Sequence, residues 1–284
     1  MAGTFRSDIE PRKQARRPSL PDIRRPCYTA AIMIRRDGRS ARELRKVEAI
    51  VGFHRNAEGS VLYRAGGTAV LCTASIDATV PAWMAGKGRG WLTAEYQMHP
   101  RSGPERRESR DGRGKAPSGR TQEIQRLVGR ALRAAIDLDK LGERSIVVDC
   151  DVLEADGGTR TASITGGFVA LALALAKLQK SGALTTPVLR DQVAAISVGH
   201  LDDGLALDLV YTEDSKARVD LNLVATHGGA IVEVQGTAEG AAVPRKDVDA
   251  MIDLGLEGVA TLCKTQRALL EEAGVRLADL GIAS

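Results

Sequence analysis

The chain is 284 residues long, 43% hydrophobic and 3% aromatic, with a formal net charge of +4. That is enough apolar material for the core of one large domain or two small ones. The longest unbroken apolar run, Phe168 to Ala176, is too short to cross a bilayer, and the N-terminus lacks the apolar segment of a secretory leader. Cys27, Cys72, Cys150 and Cys263 lie far apart without CxxC spacing, and the four histidines show no ligand spacing. A membrane span, a disulfide framework and a zinc site are therefore not expected, and a cytoplasmic protein without a membrane partner is.

The charge is unevenly spread: +8 over residues 1–46, 0 over 47–100, +4 over 101–120 and −8 over 121–284. Clustered arginines supply bidentate donors and an attractive field for a polyanion, although such a run also serves as a solvated segment. The acidic remainder excludes a wholly basic coating protein.

In chain order, residues 1–34 mix Pro, Ser and Arg without periodicity and read as a flexible basic extension, so the folded domain is expected over 35–284. Strands are predicted from Glu48 to Phe53, Gly59 to Arg64 and Thr68 to Ile76, the last two joined as a hairpin through Ala65-Gly66-Gly67. Composition then shifts to Gly, Pro, Arg and Ser from Ala85 to Ser118, around a short ordered island from Trp91 to Tyr96. Five arginines fall between Arg101 and Lys115 with no apolar period. That stretch is either a contact loop for RNA phosphates or a solvated insertion.

Offsets of three and four among Ile124, Leu127, Val128, Ala131, Leu132 and Ala135 predict a helix from Gly119 to Leu138, with Arg120 in its first turn. A β-branched strand from Ser145 to Val152 then leads to Asp156-Gly157-Gly158-Thr159-Arg160-Thr161-Ala162-Ser163-Ile164-Thr165-Gly166 and an apolar helix to Gln179. Glycines at a helix start admit a ligand to unpaired N–H groups, and Arg160 adds a full charge to the partial charge of the helix end. The alternative is an ordinary cap by Thr159 or Thr161 with Arg160 solvated. Four more strands, from Val193 to Val198, Leu205 to Tyr211, Ala217 to Ala225 and Ala230 to Gly236, and a helix from Lys246 to Ala273 complete a second sheet-then-helix passage. The whole is an α+β chain of two pseudo-duplicated units.

Asp208 to Lys216 is the second chemical feature. If the strand from Leu205 continues, Asp208 and Asp214 share a face and both reach one site; a bend after Tyr211 alters this. Paired carboxylates suit Mg²⁺, and Lys216 suits a developing oxyanion. Placement at a strand end on the surface is the alternative.

Taken in order, Arg36-Asp37-Gly38-Arg39, Ala57 to Val61, Gly90 to Tyr96, Ser118 to Leu127, Asp156 to Gly166, Asp208 to Ser215 and Val234 to Gly240 resemble the ribonuclease PH family over about residue 35 to the C-terminus. The resemblance implies the ribosomal protein S5 domain 2-like fold, a homo-hexameric ring of three dimers, and phosphate-dependent 3′ to 5′ removal of nucleotides from tRNA precursors as nucleoside diphosphates. It places phosphate on Arg120, Gly158, Thr159 and Arg160, and catalysis with Mg²⁺ on Asp208 and Asp214, followed by Lys216. It places RNA contacts on Arg101, Arg106 and either Arg107 or Arg110, in a loop one residue longer than the family pattern. Gln97 and His99 also depart from that pattern. The rival expectation is a catalytically silent, ring-forming RNA-binding subunit of an exosome-like assembly.

Overall fold

The computed structural model describes residues 35–104 and 116–283. Strands β1 (Val47–Val51), β2 (Gly59–Ala65), β3 (Thr68–Asp77) and β4 (Trp91–Met98) are followed by helices α1 (Gly119–Ala135) and α2 (Leu138–Leu141) and strand β5 (Ser145–Glu154). Helix α3 (Thr159–Lys180) leads to β6 (Val193–Leu201), β7 (Gly204–Leu207), the single turn α4 (Tyr211–Asp214), β8 (Val219–Thr226), β9 (Ile231–Ala238), α5 (Arg245–Glu272) and α6 (Leu277–Leu280). One sheet has the order β1-β2-β3-β5-β4, antiparallel except where β4 runs parallel to β5; the other is wholly antiparallel, β7-β6-β8-β9. This agrees with the expected α+β class of two sheet-and-helix passages.

The two sheets are joined through α3, which packs against β2 and β3 on one side and β6 on the other. Its sequence suits that position, since Ala162, Ile164, Phe168, Val169, Ala170, Leu171, Ala172, Ala174 and Leu175 are all buried. A helix apolar all round has to be covered on more than one side. By length and composition α3 would also pass for a membrane span, yet most of it is buried inside the protein. Gly166 permits the close approach: a Cβ there would stand 2.9 Å from both Cys72 Sγ and Tyr63 Cβ. The amphipathic α1 covers β4, and α5 covers β6 and β8 with Met251, Leu254, Val259 and Leu262 buried.

The predicted boundaries hold to within a few residues except after β7. The strand expected from Leu205 to Tyr211 ends at Leu207, Asp208 takes a left-handed conformation with φ +57°, and the chain turns into α4. Asp208 and Asp214 therefore do not share a strand face. Residues 1–34 and the loop arginines Arg106, Arg107 and Arg110 lie outside the described residues.

Phe168 is fully buried in the middle of α3. Phe168→Ala should lower the unfolding free energy by about 3–5 kcal/mol, read as a lower urea midpoint at unchanged slope.

Candidate active site

Strand β5 and helix α3 are joined by a turn in which Gly157 and Gly158 have φ of +75° and +64°. These left-handed conformations favour glycine, and they aim the chain into a helix whose N-cap residue is Gly158 with no side-chain cap. The threonine-cap alternative fails here. The Thr161 hydroxyl donates to the Gly158 carbonyl at 2.9 Å, and the Thr159 hydroxyl pairs with buried Tyr96 Oη at 2.9 Å. The first N–H groups of α3 are thus left without side-chain acceptors from their own turn, the condition under which a helix start can take an anion.

This turn forms one wall of a cavity of about 390 Å³. Gly158, Thr159 and Arg160 line it together with Arg120, so the two helix-start arginines predicted from sequence do face one space. Arg160 is steadied by Gln235 Oε1 at 3.0 Å and by Glu123 at 3.7 Å. At the start of α1, Ser118 Oγ accepts from the Thr121 N–H at 3.1 Å, which holds the end that carries Arg120.

Another part of the lining is acidic. Asp214, at the end of α4, and Asp220, on β8, both line the cavity with Asn222. Burial, outweighing the charges of Arg160 and Arg120, raises the Asp214 pKa above its ordinary value. Asp220 is pushed up to about 6, by burial first and Asp214 second, against the pull of Arg160, a hydrogen bond from Asn222 and Arg120. One of its oxygens accepts from Asn222 Nδ2 at 3.1 Å, while the other, Oδ1, is buried without a hydrogen-bond partner.

Asp208 does not belong to this wall. Its carboxylate is buried and held by Arg45, whose backbone N–H and Nε reach Oδ2 at 2.8 and 3.0 Å and whose Nη2 reaches Oδ1 at 2.6 Å. Engaged in this way, Asp208 is not among the residues that line the cavity, and Asp220 stands there beside Asp214. The signal for Asp220 was present in sequence: in Val219-Asp220-Leu221-Asn222-Leu223, polar residues alternate with buried apolar ones, so both point to one side of the strand. Arg45 carried no such signal, because its partner is 163 residues away. Lys216 is exposed beyond α4 and Arg101 is exposed just after β4, and neither lines the cavity. Ser102, Gly103 and Pro104, next to Arg101, do form its rim. Among the described residues no group of three or more His, Cys, Asp or Glu side chains is placed to hold a metal ion.

A model of the 3′ exoribonuclease family, domain 1, matches residues 43–177, and one of the same family, domain 2, matches residues 191–258. The class is thus that of the 3′ exoribonucleases, with the first match spanning the five-stranded sheet through α3 and the second the four-stranded sheet. Proteins named ribonuclease PH from Bacillus velezensis and Bacillus pumilus are each 51% identical to the chain over 240 residues, which is 84% of this chain and 98% and 99% of theirs. The chain belongs to the ribonuclease PH family. A solved Archaeoglobus fulgidus exosome with RNA bound to the active site has the same fold, with a TM-score of 0.66 and 23% identity over 81% of this chain and 92% of that one.

The Asp220 shift has a consequence for stability. The folded pKa of about 6 lies above the ordinary aspartate value of about 3.9, so between these pH values the folded chain keeps a proton that the unfolded chain has released. The contribution is fully present below about pH 4 and is lost as pH rises through about 6. Asp220→Asn should therefore raise the melting temperature at pH 7 relative to the parent and lose that advantage near pH 4, in thermal melts with a chelator present.

Proposed function

We propose that the cavity is the site of phosphorolysis: inorganic phosphate held at the start of α3 attacks the last phosphodiester of an RNA 3′ end, releasing a nucleoside diphosphate and an RNA one nucleotide shorter. The observation that carries this reading is the convergence of Arg120, Arg160 and the uncapped turn Gly158–Thr159 on a cavity that Asp214 and Asp220 also line. The arginines and N–H groups orient the attacking oxyanion and offset the repulsion between two phosphates. The attacking oxygen is already charged, so no side-chain nucleophile is needed. A new P–O bond forms to the scissile phosphorus as the bond to the RNA 3′ oxygen breaks, and the released hydroxyl takes a proton. The same steps in reverse add a nucleotide.

Asp214 and Asp220 suit a hard divalent ion such as Mg²⁺. The unpartnered Asp220 Oδ1 lacks a cation or donor, and a second carboxylate lies on the same wall. Bound there, Mg²⁺ would supply charge neutralisation at the scissile phosphate and the departing oxygen. The charges of Arg160 and Arg120 also reach both carboxylates, so cation and anion would share one small space.

The substrates of this reading are tRNA precursors and other RNA 3′ ends, and the setting is a cytoplasmic homo-hexamer of three dimers. Support for assembly comes from edge strand β9, which exposes Ile231 and Val234. Contact of Arg101, Arg106, Arg107 and Arg110 with the RNA body is part of the proposal, supported by the position of Arg101 beside the cavity rim. A silent RNA-binding subunit has less support, because the arginine and acidic walls occur in one chain.

Incubated with tRNA precursor, Mg²⁺ and phosphate, the protein should release nucleoside diphosphates; phosphate-independent release of monophosphates would overturn the assignment. Arg120→Ala or Arg160→Ala should raise the KM for phosphate at least about tenfold. Asp214→Asn or Asp220→Asn should lower kcat by about 100-fold at saturating phosphate.

A further inference from the structure

We propose that Arg45 is a positioning residue for the attacking phosphate, acting with Asp208 as a buried clasp that holds the glycine turn against the acidic loop. The proposal rests on the phosphate reading of the cavity and names what keeps that site in shape. Arg45 joins two segments distant in sequence. Two of its side-chain nitrogens and its backbone N–H engage the Asp208 carboxylate, while Nη1 donates to the Asp156 carbonyl at 2.7 Å and lies 3.4 Å from that of Gly157. The two side chains are 5% and 6% exposed. Burial works against the Arg45 charge, but the hydrogen bonds and charge of Asp208 more than offset it.

Each end of the clasp sits where a small movement alters the site. On one side, the Gly157 carbonyl also accepts from Thr68 Oγ1 at 2.7 Å, and the same hydroxyl accepts from the Asp156 N–H at 2.9 Å. Because a trans peptide is planar, holding the Asp156 and Gly157 carbonyls fixes the directions of the next N–H groups, those of Gly157 and Gly158, two residues that line the cavity. Arg45 Nη2 comes within 2.9 Å of where a Gly158 Cβ would stand, so the guanidinium backs directly onto the turn.

On the other side, Asp208 is the one non-glycine residue with positive φ among the described residues. That conformation is held because every polar group of the residue is engaged. Its N–H donates to the Ser197 carbonyl at 2.8 Å, and its carbonyl accepts from Arg35 at 3.0 Å and Arg39 at 3.1 Å. From there the chain runs straight into α4 and Asp214. Direct contact completes the link: a Cβ on Gly157 would meet the Leu209 carbonyl at 2.6 Å, and Asp156 Oδ1 accepts from the Tyr211 N–H at 3.2 Å. A planar guanidinium spreads its donors over three nitrogens in a rigid fork that spans a carboxylate and a carbonyl at once; the three donors of an ammonium sit on one nitrogen and do not span both.

The test uses Arg45→Lys and Thr68→Val in the full chain. The second removes a neutral support of the same turn without stranding a buried charge, and so decides the matter if the first does not fold. Phosphate affinity is measured by calorimetry with inorganic phosphate alone, alongside the KM values for phosphate and for RNA. Phosphate Kd and KM should both rise, by about tenfold for Arg45→Lys and severalfold for Thr68→Val, with the KM for RNA within about twofold of the parent. Unchanged phosphate Kd in a folded variant, or equal rises in both KM values, would overturn the clasp. A parent that trims RNA without phosphate would instead overturn the phosphorolytic assignment, and the phosphate Kd would still decide the clasp.

Discussion

Helix α3 can leave its first turn uncapped only because the rest of the helix is locked between two sheets. An isolated helix entered through two left-handed glycines would fray, since no side chain takes up its terminal N–H groups. Burial of Phe168, Leu171 and Leu175 against both sheets supplies the stability that the terminus lacks. The helix start therefore stays at the cavity without a side-chain cap, as the proposed phosphate site requires. A more exposed helix would need a Ser or Asp cap at that end, and the cap would compete with the ligand.

A second consequence of the two-sheet design is that the cavity lies at a seam. Its basic wall comes from the amino ends of α1 and α3, its acidic wall from α4 and β8, and these come from the two different family-model segments. Opposite charges lining one small cavity would tend to collapse into ion pairs. Arg160 is kept from doing so partly by Gln235 and Glu123, and Asp208 is removed from the contest altogether by Arg45. The carboxylates left facing the cavity have raised pKa values, because burial outweighs the help of the arginines. Such groups gain from a bound cation, which ties the acidic wall to metal in the proposed reaction.

Buried arginines near the start of the described chain hold this seam together. Arg35 binds Glu213 and the carbonyls of Leu207 and Asp208, Arg39 reaches the Asp208 carbonyl, and Arg45 spans both walls. Part of the positive charge at the N-terminal end of the sequence is thus structural. It neutralises the α4 loop from behind and is not available to RNA, unlike the arginines that face the cavity.

Most elements were legible from sequence because their signals are local. The three- and four-residue period of α1, the β-branched run of β5 and the glycines ahead of α3 each act within a few residues, and the observed elements follow them closely. The fold class and the basic wall could be read the same way, since Arg120 and Arg160 each mark a helix start. The acidic wall could not. Whether Asp208 or Asp220 faces the arginines depends on one left-handed residue and on an arginine 163 positions earlier in the chain. Sequence by itself determined which segments are helix and strand and which two arginines stand at helix starts. Only the tertiary structure decided which carboxylates share that space, because a buried ion pair between distant residues consumed one of them and turned the chain before the next.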